Sequence, residues 1–234
     1  MIENYKTLIF DCDGVILNSN KIKTQAFYDA TKHLGHEPAQ ALVDYHVQNG
    51  GISRYAKFEY FITEILNQDF DEAFNHELLQ RFAQAVKKEL MNCEVAEGLD
   101  ELREKTVHAN WLIVSGGDQA ELREVFAARG LDKYFNGGIF GSPENKDAIL
   151  AREIENDTIM KPALFLGDSK YDYQAAKTAG LDFVFLSGWT EVYDWISWCE
   201  ENNITHIDSF KRLKKMNVIN INGIKDLEMA TIIC

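Results

Sequence analysis

The sequence has few basic residues for its length. Its 234 residues include 24 lysines and arginines against 37 acidic residues, so the formal net charge is −13 at pH 7. Binding a nucleic-acid backbone requires a basic stripe, and the sequence shows none, so we expect no nucleic-acid partner. An anionic small molecule would have to be held by a local cation.

Cysteine and long apolar runs are also scarce. The four cysteines form no CxxC pair and have no regular spacing, which favours reduced thiols over disulfides or a zinc site. The longest apolar runs, such as 111–114 and 183–186, are far shorter than the ~20 residues that span a bilayer. Because no charged segment followed by an apolar one stands near Met1, we expect a cytoplasmic protein without a membrane partner.

Four short apolar runs end in small or acidic residues and alternate with helical patterns. They span residues 7–11, 111–115, 163–168 and 183–187. This alternation predicts an α/β fold with a doubly wound, Rossmann-like parallel sheet. In such sheets ligands bind at the carboxyl ends of the strands, and there this sequence has Asp and Ser residues.

The stretch between the first two runs has only helical periodicity. Residues 22–34 carry an apolar residue at every fourth position, and the Gly35 and Pro38 that follow predict the end of a first helix. Ser53 is expected to cap a second helix, and residues 74–86 have the spacing of a third. The stretch therefore reads as an inserted all-helical domain.

These patterns divide the chain into three parts. Residues 1–17 and 94–210 are expected to form the α/β core, and residues 18–93 a helical cap. Residues 211–234 form a C-terminal extension in which Asn222-Gly223 is a possible hairpin turn.

Two carboxylates follow the first strand at alternate positions. Asp11 and Asp13 precede Gly14, whose flexibility can turn the second side chain away from the first. Two neighbouring carboxylates with different surroundings can divide the roles of nucleophile or metal ligand and general acid. Taken alone, the motif is also compatible with an Asp pair that only caps a turn.

Other strand and helix ends carry groups suited to a metal or a phosphate. Asp168 and Asp172 follow the third apolar run, and carboxylates from two strand ends suit Mg²⁺. Ser115 and Gly116 end the second run, where backbone amides can approach a phosphate. Lys146 precedes a helical segment and could neutralise anionic charge. The structural alternatives are that the acids are only stabilised by a helix dipole and that the lysine is only solvated.

In this order, the motifs DxDG, SGG, Lys and GDSxxD resemble those of the haloacid dehalogenase-like hydrolase superfamily over residues 7–188. The position of the helical insert resembles the C1-cap subgroup, which includes phosphoglycolate phosphatases and β-phosphoglucomutases. The resemblance implies a Mg²⁺-dependent phosphatase that acts on a small phosphorylated metabolite through an aspartyl-phosphate. A phosphomutase is the alternative outcome, and nothing in the sequence indicates the oligomeric state.

The same resemblance implies roles for the acidic residues. Asp11 would be the nucleophile and a Mg²⁺ ligand. Asp13 would be the acid/base and would offer its backbone carbonyl to the metal. Asp168 would complete the protein ligands of the ion. Asp172, whose role varies in the family, would orient these ligands from behind, and direct binding of the ion by Asp172 is the alternative.

The remaining motifs are expected to hold the substrate. Ser115 and the Gly116 amide would bind the phosphoryl group, and Lys146 would bridge the nucleophile and the phosphate. The sequence Gly-Gly-Ile-Ser-Arg that ends at Arg54 resembles the loop with which C1 caps contact substrate. We therefore predict that Arg54 binds the part of the substrate that is not transferred, with a plain interhelical turn as the alternative.

Other functions fit less well. Dehalogenases of this superfamily lack the second acid that Asp13 provides. Phosphonatases form an imine on a cap lysine, and Lys21, Lys23 and Lys57 leave that branch disfavoured but open. A receiver-like phosphoacceptor has no use for an acid two residues after its Asp, and a non-catalytic scaffold leaves the intact acids unexplained. No cysteine has an arginine six residues later, which excludes a cysteine phosphatase.

Overall fold

The computed structural model describes residues 1–213, and the possible hairpin at Asn222 lies outside them. At its centre is a parallel sheet of six strands in the order β3-β2-β1-β4-β5-β6. The strands are β1 Thr7–Phe10, β2 Asn110–Asp118, β3 Gly138–Ser142, β4 Ala163–Gly167, β5 Asp182–Leu186 and β6 His206–Ile207. The chain winds outwards from β1 in both directions, so the predicted doubly wound α/β fold is confirmed.

Helices lie in the connections between the strands, and one helix follows the last strand. In the core they are α5 Leu99–Lys105, α6 Gln119–Ala128, α7 Lys146–Glu155, α8 Lys170–Thr178, α9 Trp195–Glu201 and α10 Phe210–Leu213. Between β1 and β2 lie α1 Asn20–Thr31, α2 His36–Gln48, α3 Arg54–Tyr60, the π-helical turn Phe61–Ile65 and α4 Glu72–Leu90. Within residues 1–213, no helix has both the length and the apolar character that a membrane crossing requires.

The central strands are apolar on both faces because helices cover both faces of the sheet. Every residue of β1 and β4 is buried, as expected for a parallel sheet between two helical layers. Successive side chains point to opposite faces, so Phe10 and Trp111 pack in one core while Ile9 and Phe165 pack in the other. The two acidic motifs directly follow the ends of β1 and β4.

The insert contains one helix, α2, that the sequence patterns do not predict. Pro38 was expected to follow the end of the first helix, but it lies in the first turn of α2. Proline is tolerated there because the N–H groups of a first helical turn have no intrahelical acceptor. Gly35, at φ 123°, separates α2 from the preceding turn. A glycine followed by a proline three residues later therefore marks both the end of one helix and the start of the next.

The sequence patterns also fail to predict β3 and β6. Two of the five residues of β3 are glycines, Gly138 and Gly141, so the strand lacks a clear β-type alternation. It is held instead by pairing with β2, where Ile113 lies opposite Ile139. β6 has only two residues. In both cases tertiary pairing, rather than local propensity, makes the strand.

The two chain segments that lead into and out of the helices α1 to α4 lie side by side. The Asn18 amide donates to the Glu94 carbonyl at 2.9 Å, and Leu17 and Val95 form an antiparallel bridge. This pairing supports domain boundaries close to residues 18 and 93. We propose that residues 18–93, called the helical insert below, form a domain that is joined to the core at this one place.

Candidate active site

The carboxyl ends of β1 and β4 bring Asp11 and Asp168 to the same edge of the sheet. The Asp11 amide donates to the Leu166 carbonyl at 2.9 Å, which continues the ladder one residue beyond β1. Both side chains are buried. Asp11, Asp168 and Asp172 each offer one carboxylate oxygen, and these oxygens lie within 4.8 Å of one another. A buried group of this kind suits a hard cation.

Lys146 joins two of these carboxylates. It is the first residue of α7, a helix that Asn145 caps by accepting from the Ala148 amide at 2.8 Å. Lys146 Nζ lies 2.9 Å from Asp11 Oδ2 and also contacts Asp172 Oδ1. Burial would lower the pKa of Lys146, but the charges of the two carboxylates outweigh it and raise the pKa. The lysine is therefore a buried cation held against the candidate nucleophile.

Asp172 organises the start of α8. Its Oδ2 accepts from the Asp168 amide at 3.2 Å, from the Ser169 amide at 3.0 Å and from Ser169 Oγ at 2.7 Å. Ser169 accepts from the Asp172 amide in return, which completes a capping box. Since Oδ1 contacts Lys146, few lone pairs of Asp172 remain for an ion. Asp172 thus orients its neighbours in this structure, and its role towards an ion stays a prediction.

Asp13 faces a different set of partners. Ser19 Oγ donates to its Oδ1 at 2.6 Å, and Lys23 Nζ donates to its Oδ2 at 2.5 Å. Burial alone would raise the pKa of Asp13, but the Lys23 ammonium and the Ser19 hydroxyl hold the pKa below its usual value. The turn at Gly14 thus separates the two acids of the first motif, as the sequence predicts.

The Gly14 turn also brings Asn20 against Asp168. Asn20 Nδ2 donates to Asp168 Oδ2 at 2.6 Å and to the Trp189 carbonyl at 2.9 Å. Gly14 has φ 74°, and a Cβ atom built on it would lie 2.0 Å from Asp168 Oδ2. Glycine is therefore needed both for the turn and for the close approach of the second carboxylate.

The carboxylates at the sheet edge outnumber the cations. Among residues 1–213, Lys146 is the one cation in contact with Asp11 and Asp172, and none contacts Asp168, which leaves two of the three negative charges unbalanced. Burial, opposed by Lys146, raises the pKa of Asp11 to about 7. Burial, with the charges of Asp11 and Asp172, raises the pKa of Asp168 well above its usual value. A divalent cation would supply the missing positive charge, so the donor set fits Mg²⁺.

The second motif lies beside these carboxylates. Ser115 is buried, and its Oγ accepts from the Gly117 amide at 3.1 Å, so its own hydroxyl proton is available to donate. Gly116 lines the cavity that also contains Asp11 and Asp13. The predicted phosphate-binding residues therefore lie at the same edge of the sheet, and their role stays a prediction.

A loop of the helical insert closes the cavity from the other side. Gly50 and Gly51 line it, and a Cβ atom on Gly116 would lie 2.3 Å from the Gly51 carbonyl oxygen. The backbones of insert and core are thus in direct contact. The cavity is partly open to solvent and small, with a volume of about 60 Å³.

Arg54 also lines this cavity, but its guanidinium already has a partner. Ser53 caps α3 by accepting from the Ala56 amide at 3.3 Å, as predicted. Arg54 Nη1 donates to Glu121 Oε2 at 3.1 Å, and Nη2 contacts Glu121 Oε1. The guanidinium also lies 4.5 Å from the centre of the Phe82 ring. The substrate-binding role expected for Arg54 is untested, and in this structure the residue ties the insert to α6.

Four further polar residues of the insert line the cavity, namely Asn20, Lys23, His46 and Lys57. Asn20 and Lys23 lie in the first turn of the helix that follows the DxDG motif, and that position is the signal that could have identified them. No local pattern distinguishes His46 or Lys57, because their place depends on how α2 packs against α3. From the sequence, Lys23 and Lys57 are only possible imine-forming lysines.

Comparison with solved structures finds the same fold in several bacterial proteins. A predicted phosphoglycolate phosphatase from Haemophilus somnus 129pt has 19% identity and a TM-score of 0.68 over 90% of this chain and 97% of that chain. A predicted phosphatase from Clostridium acetobutylicum has 18% identity and a TM-score of 0.69 over the same shares. A β-phosphoglucomutase from Clostridium difficile has 16% identity and a TM-score of 0.65, over 89% of this chain and 95% of that chain.

No curated protein sequence matches the chain. Residues 5–180, which contain all four motifs, match the family described as haloacid dehalogenase-like hydrolase. The match covers well over half of the chain, and the motifs it spans converge on one buried site. The chain therefore belongs to the haloacid dehalogenase-like hydrolases.

Proposed function

We propose that this hydrolase is a Mg²⁺-dependent phosphatase that cleaves a small phosphate monoester through an aspartyl-phosphate on Asp11. The observation that carries the proposal is the buried group formed by Asp11, Asp168 and Asp172, with Lys146 in contact with the first and the last. A carboxylate held against an ammonium, beside a place for a divalent cation, is equipped to approach an anionic phosphoryl group.

In the first half of the proposed reaction, an Asp11 oxygen attacks phosphorus and the bond to the ester oxygen breaks. Asp13 gives a proton to the departing oxygen. Because its contacts with Ser19 and Lys23 hold its pKa below the usual value, it has to take up that proton from solvent before this step. Lys146 favours the ionised form of Asp11 and offsets the charge of the phosphoryl oxygens, while Ser115 and the Gly116 amide hold those oxygens.

In the second half, water attacks the phosphorus of the aspartyl-phosphate and transfers a proton to Asp13. Inorganic phosphate leaves and Asp11 is restored as a carboxylate. The contacts of Asp13 with Ser19 and Lys23 favour its ionised form, which is the form that accepts this proton.

Mg²⁺ would be held by the Asp11 and Asp168 carboxylates and the Asp13 backbone carbonyl. When bound, it supplies positive charge that stabilises the phosphoryl oxygens in the transition state. Asn20, which donates to Asp168, and Asp172, which accepts from the Asp168 amide, would keep the second carboxylate in place.

The proposal is tested by assaying phosphate release from a panel of phosphorylated sugars, sugar acids and nucleotides with Mg²⁺ present. We expect release that stops when the metal is chelated and resumes when Mg²⁺ is restored. Full activity after dialysis against a chelator would contradict the metal requirement, and inactivity on the whole panel and on p-nitrophenyl phosphate would contradict phosphatase activity.

A phosphomutase is the second candidate. It is favoured by the similarity of the fold to a β-phosphoglucomutase and by the direct contact of the Gly51 loop with the core, which would shield an aspartyl-phosphate from water. Following a sugar 1-phosphate by ³¹P NMR separates the two: a mutase accumulates the isomeric sugar phosphate, whereas a phosphatase accumulates inorganic phosphate.

A further inference from the structure

The segment 189–191 follows β5 and carries none of the sequence motifs, yet it lies against the acidic edge of the sheet. It also lies beyond residues 5–180, which match the hydrolase family. Thr190 Oγ1 donates to the Asp168 carbonyl at 2.6 Å. A residue outside the motifs thus contacts the backbone of a carboxylate that is expected to hold Mg²⁺.

Asp168 lies in the short link between β4 and α8, where no ladder or helical hydrogen bond fixes the peptide that joins it to Ser169. The N–H group of this peptide donates to Asp172 Oδ2 at 3.0 Å, and its C=O group accepts from Thr190. Within residues 1–213, Thr190 is the one donor to this carbonyl. Since a peptide group is planar, the two bonds fix its orientation and with it the direction of the Asp168 side chain.

The hydroxyl group of Thr190 is itself held in one orientation. Its Oγ1 accepts from the Val192 amide at 3.1 Å, so its own proton is available for the Asp168 carbonyl. A side chain without a hydroxyl at position 190 would leave both the carbonyl and the amide without this partner.

Both neighbours of Thr190 are hydrogen-bonded to α1, the first helix of the insert. The Trp189 carbonyl accepts from Asn20 Nδ2 at 2.9 Å, and Glu191 Oε2 accepts from Thr24 Oγ1 at 2.8 Å. The two bonds to one helix place the segment, so the Thr190 hydroxyl meets the Asp168 carbonyl at a defined position.

The Asp168 carboxylate is hydrogen-bonded through one oxygen. Oδ2 accepts from Asn20 at 2.6 Å, whereas no donor in the described part of the chain reaches Oδ1. Oδ1 is therefore the oxygen that can bind an ion. Because Mg²⁺ demands near-ideal octahedral geometry at about 2.0–2.1 Å, a small rotation of Asp168 is enough to weaken binding.

We propose that Thr190 is a positioning residue for Mg²⁺: through the Asp168 carbonyl it holds the Asp168 carboxylate in the orientation that binds the ion. This inference rests on the metal site of the proposed function and adds to that site a residue that no motif contains. Loss of a residue that orients a metal ligand typically weakens metal binding about tenfold to hundredfold.

The test is a calorimetric titration of the metal-free protein with MgCl₂. Thr190→Val keeps the shape of the side chain and removes the hydroxyl, so it should bind Mg²⁺ about tenfold to hundredfold more weakly than the wild type. Thr190→Ser keeps the hydroxyl and should bind Mg²⁺ with a Kd close to that of the wild type.

Thr7→Val is the matched control. Thr7 Oγ1 donates to the Met160 carbonyl at 3.0 Å and accepts from the Met160 amide at 2.9 Å, but it lies at the amino end of β1, away from the acidic edge. Thr7→Val and Thr190→Val should both lower the Tm in chelator, because each loses two hydrogen bonds. Thr7→Val should nevertheless keep the wild-type affinity for Mg²⁺.

Circular dichroism checks the fold of each variant, and Thr190→Ala, with the same expected loss of affinity, replaces Thr190→Val if that variant is unfolded. Three results would each overturn the inference. They are a wild-type Kd for Mg²⁺ in the variant without the hydroxyl, a Thr190→Ser variant that binds as weakly as that variant, and an equal loss of affinity in Thr7→Val.

The outcome is separable from that of the proposed function. A wild-type protein that binds no Mg²⁺ would overturn both the inference and the metal requirement. A Thr190-dependent affinity without hydrolysis of any phosphate ester would leave the inference standing and contradict the phosphatase. Mg²⁺-dependent hydrolysis together with equal affinities of Thr190→Val and the wild type would do the reverse.

Discussion

Asp11 and Asp13 are two residues apart, yet the structure gives them different chemistry. Asp11 contacts Lys146 on the core side, whereas Asp13 contacts Ser19 and Lys23 at the start of the helical insert. The pKa of Asp11 is raised and that of Asp13 is lowered. These directions oppose the roles proposed for the pair, because a nucleophile must be ionised and a general acid protonated. The reaction therefore requires a cation beside Asp11 and a proton taken up by Asp13.

Asp11→Asn should abolish turnover while the fold is kept. The amide has almost the same shape, but it does not attack phosphorus and is a poor Mg²⁺ ligand. We expect a loss of at least about a thousandfold in kcat, measured with p-nitrophenyl phosphate, and an unchanged circular dichroism spectrum. Activity within tenfold of the wild type would contradict nucleophilic attack by Asp11.

Asp13→Asn should slow both halves of the reaction, because the same group protonates the leaving oxygen and then activates water. The slowing of phospho-enzyme formation should be smaller for p-nitrophenyl phosphate, whose leaving group needs no proton, than for an alkyl phosphate. Rapid-quench kinetics on both esters measures the difference. Equal slowing on the two esters would assign Asp13 a structural role.

The sequence predicts where the strands end, but it does not predict how the helices of the insert pack. The runs that end at Asp11 and Asp168 have strong local signals, since buried parallel strands are almost continuously apolar. By contrast, α2 begins in a segment whose proline resembles a stop, and β3 owes its existence to pairing with β2. His46 and Lys57 meet only because α2 and α3 pack together, so their contact could not be read from the chain.

The contact between α3 and α6 predicts a loss of activity when it is broken. If the Arg54–Glu121 pair holds the insert against the core, Arg54→Ala and Glu121→Gln should each lower kcat/KM by about tenfold, the scale expected for a charged hydrogen bond. The loss should be similar for p-nitrophenyl phosphate and for larger esters, because closure serves both.

A double-mutant cycle provides the control for this pair. Arg54→Ala/Glu121→Gln should be no worse than the poorer single variant, since both changes break one interaction. A loss confined to larger esters in Arg54→Ala, with Glu121→Gln close to wild type, would restore the substrate-binding role that the sequence predicts for Arg54.

For the whole molecule, the metal should contribute to stability. The sheet edge buries two unbalanced negative charges, so Mg²⁺ should bind the folded state far better than the unfolded one. At about a hundredfold excess over Kd we expect a rise in Tm of about 5–10 °C. Asp168→Asn should lose this rise and should match or exceed the Tm of the wild type in chelator, because it removes one of the crowded charges. A wild-type Tm that is indifferent to Mg²⁺ would contradict the site.

Calcium should separate binding from catalysis. It should raise the Tm as Mg²⁺ does but support little turnover, because its larger and looser coordination shell accepts both oxygens of a carboxylate and so restrains Asp11. Turnover with Ca²⁺ equal to that with Mg²⁺ would show that Asp11 need not keep an oxygen free.

Much of the candidate site was accessible from sequence because its motifs follow strands, and the carboxyl ends of parallel strands must meet at one edge. The sequence does not show which cations already have an acidic partner. Arg54 belongs to a motif that suggests substrate binding, but it is paired with Glu121. Lys57 belongs to no motif, and it lacks an acidic partner among residues 1–213. Such pairings depend on how the insert closes over the core.

The most direct test of the account is to locate the phosphoryl group on the protein. The Mg²⁺-loaded enzyme is mixed with p-nitrophenyl phosphate, quenched in acid within the first turnover and reduced with borohydride, which converts an aspartyl-phosphate to homoserine. Mass spectrometry of the tryptic peptide 7–21 then distinguishes Asp11 from Asp13. The account predicts homoserine at position 11 alone, and none in Asp11→Asn. A first turnover that releases nitrophenolate but leaves Asp11 unmodified would contradict it.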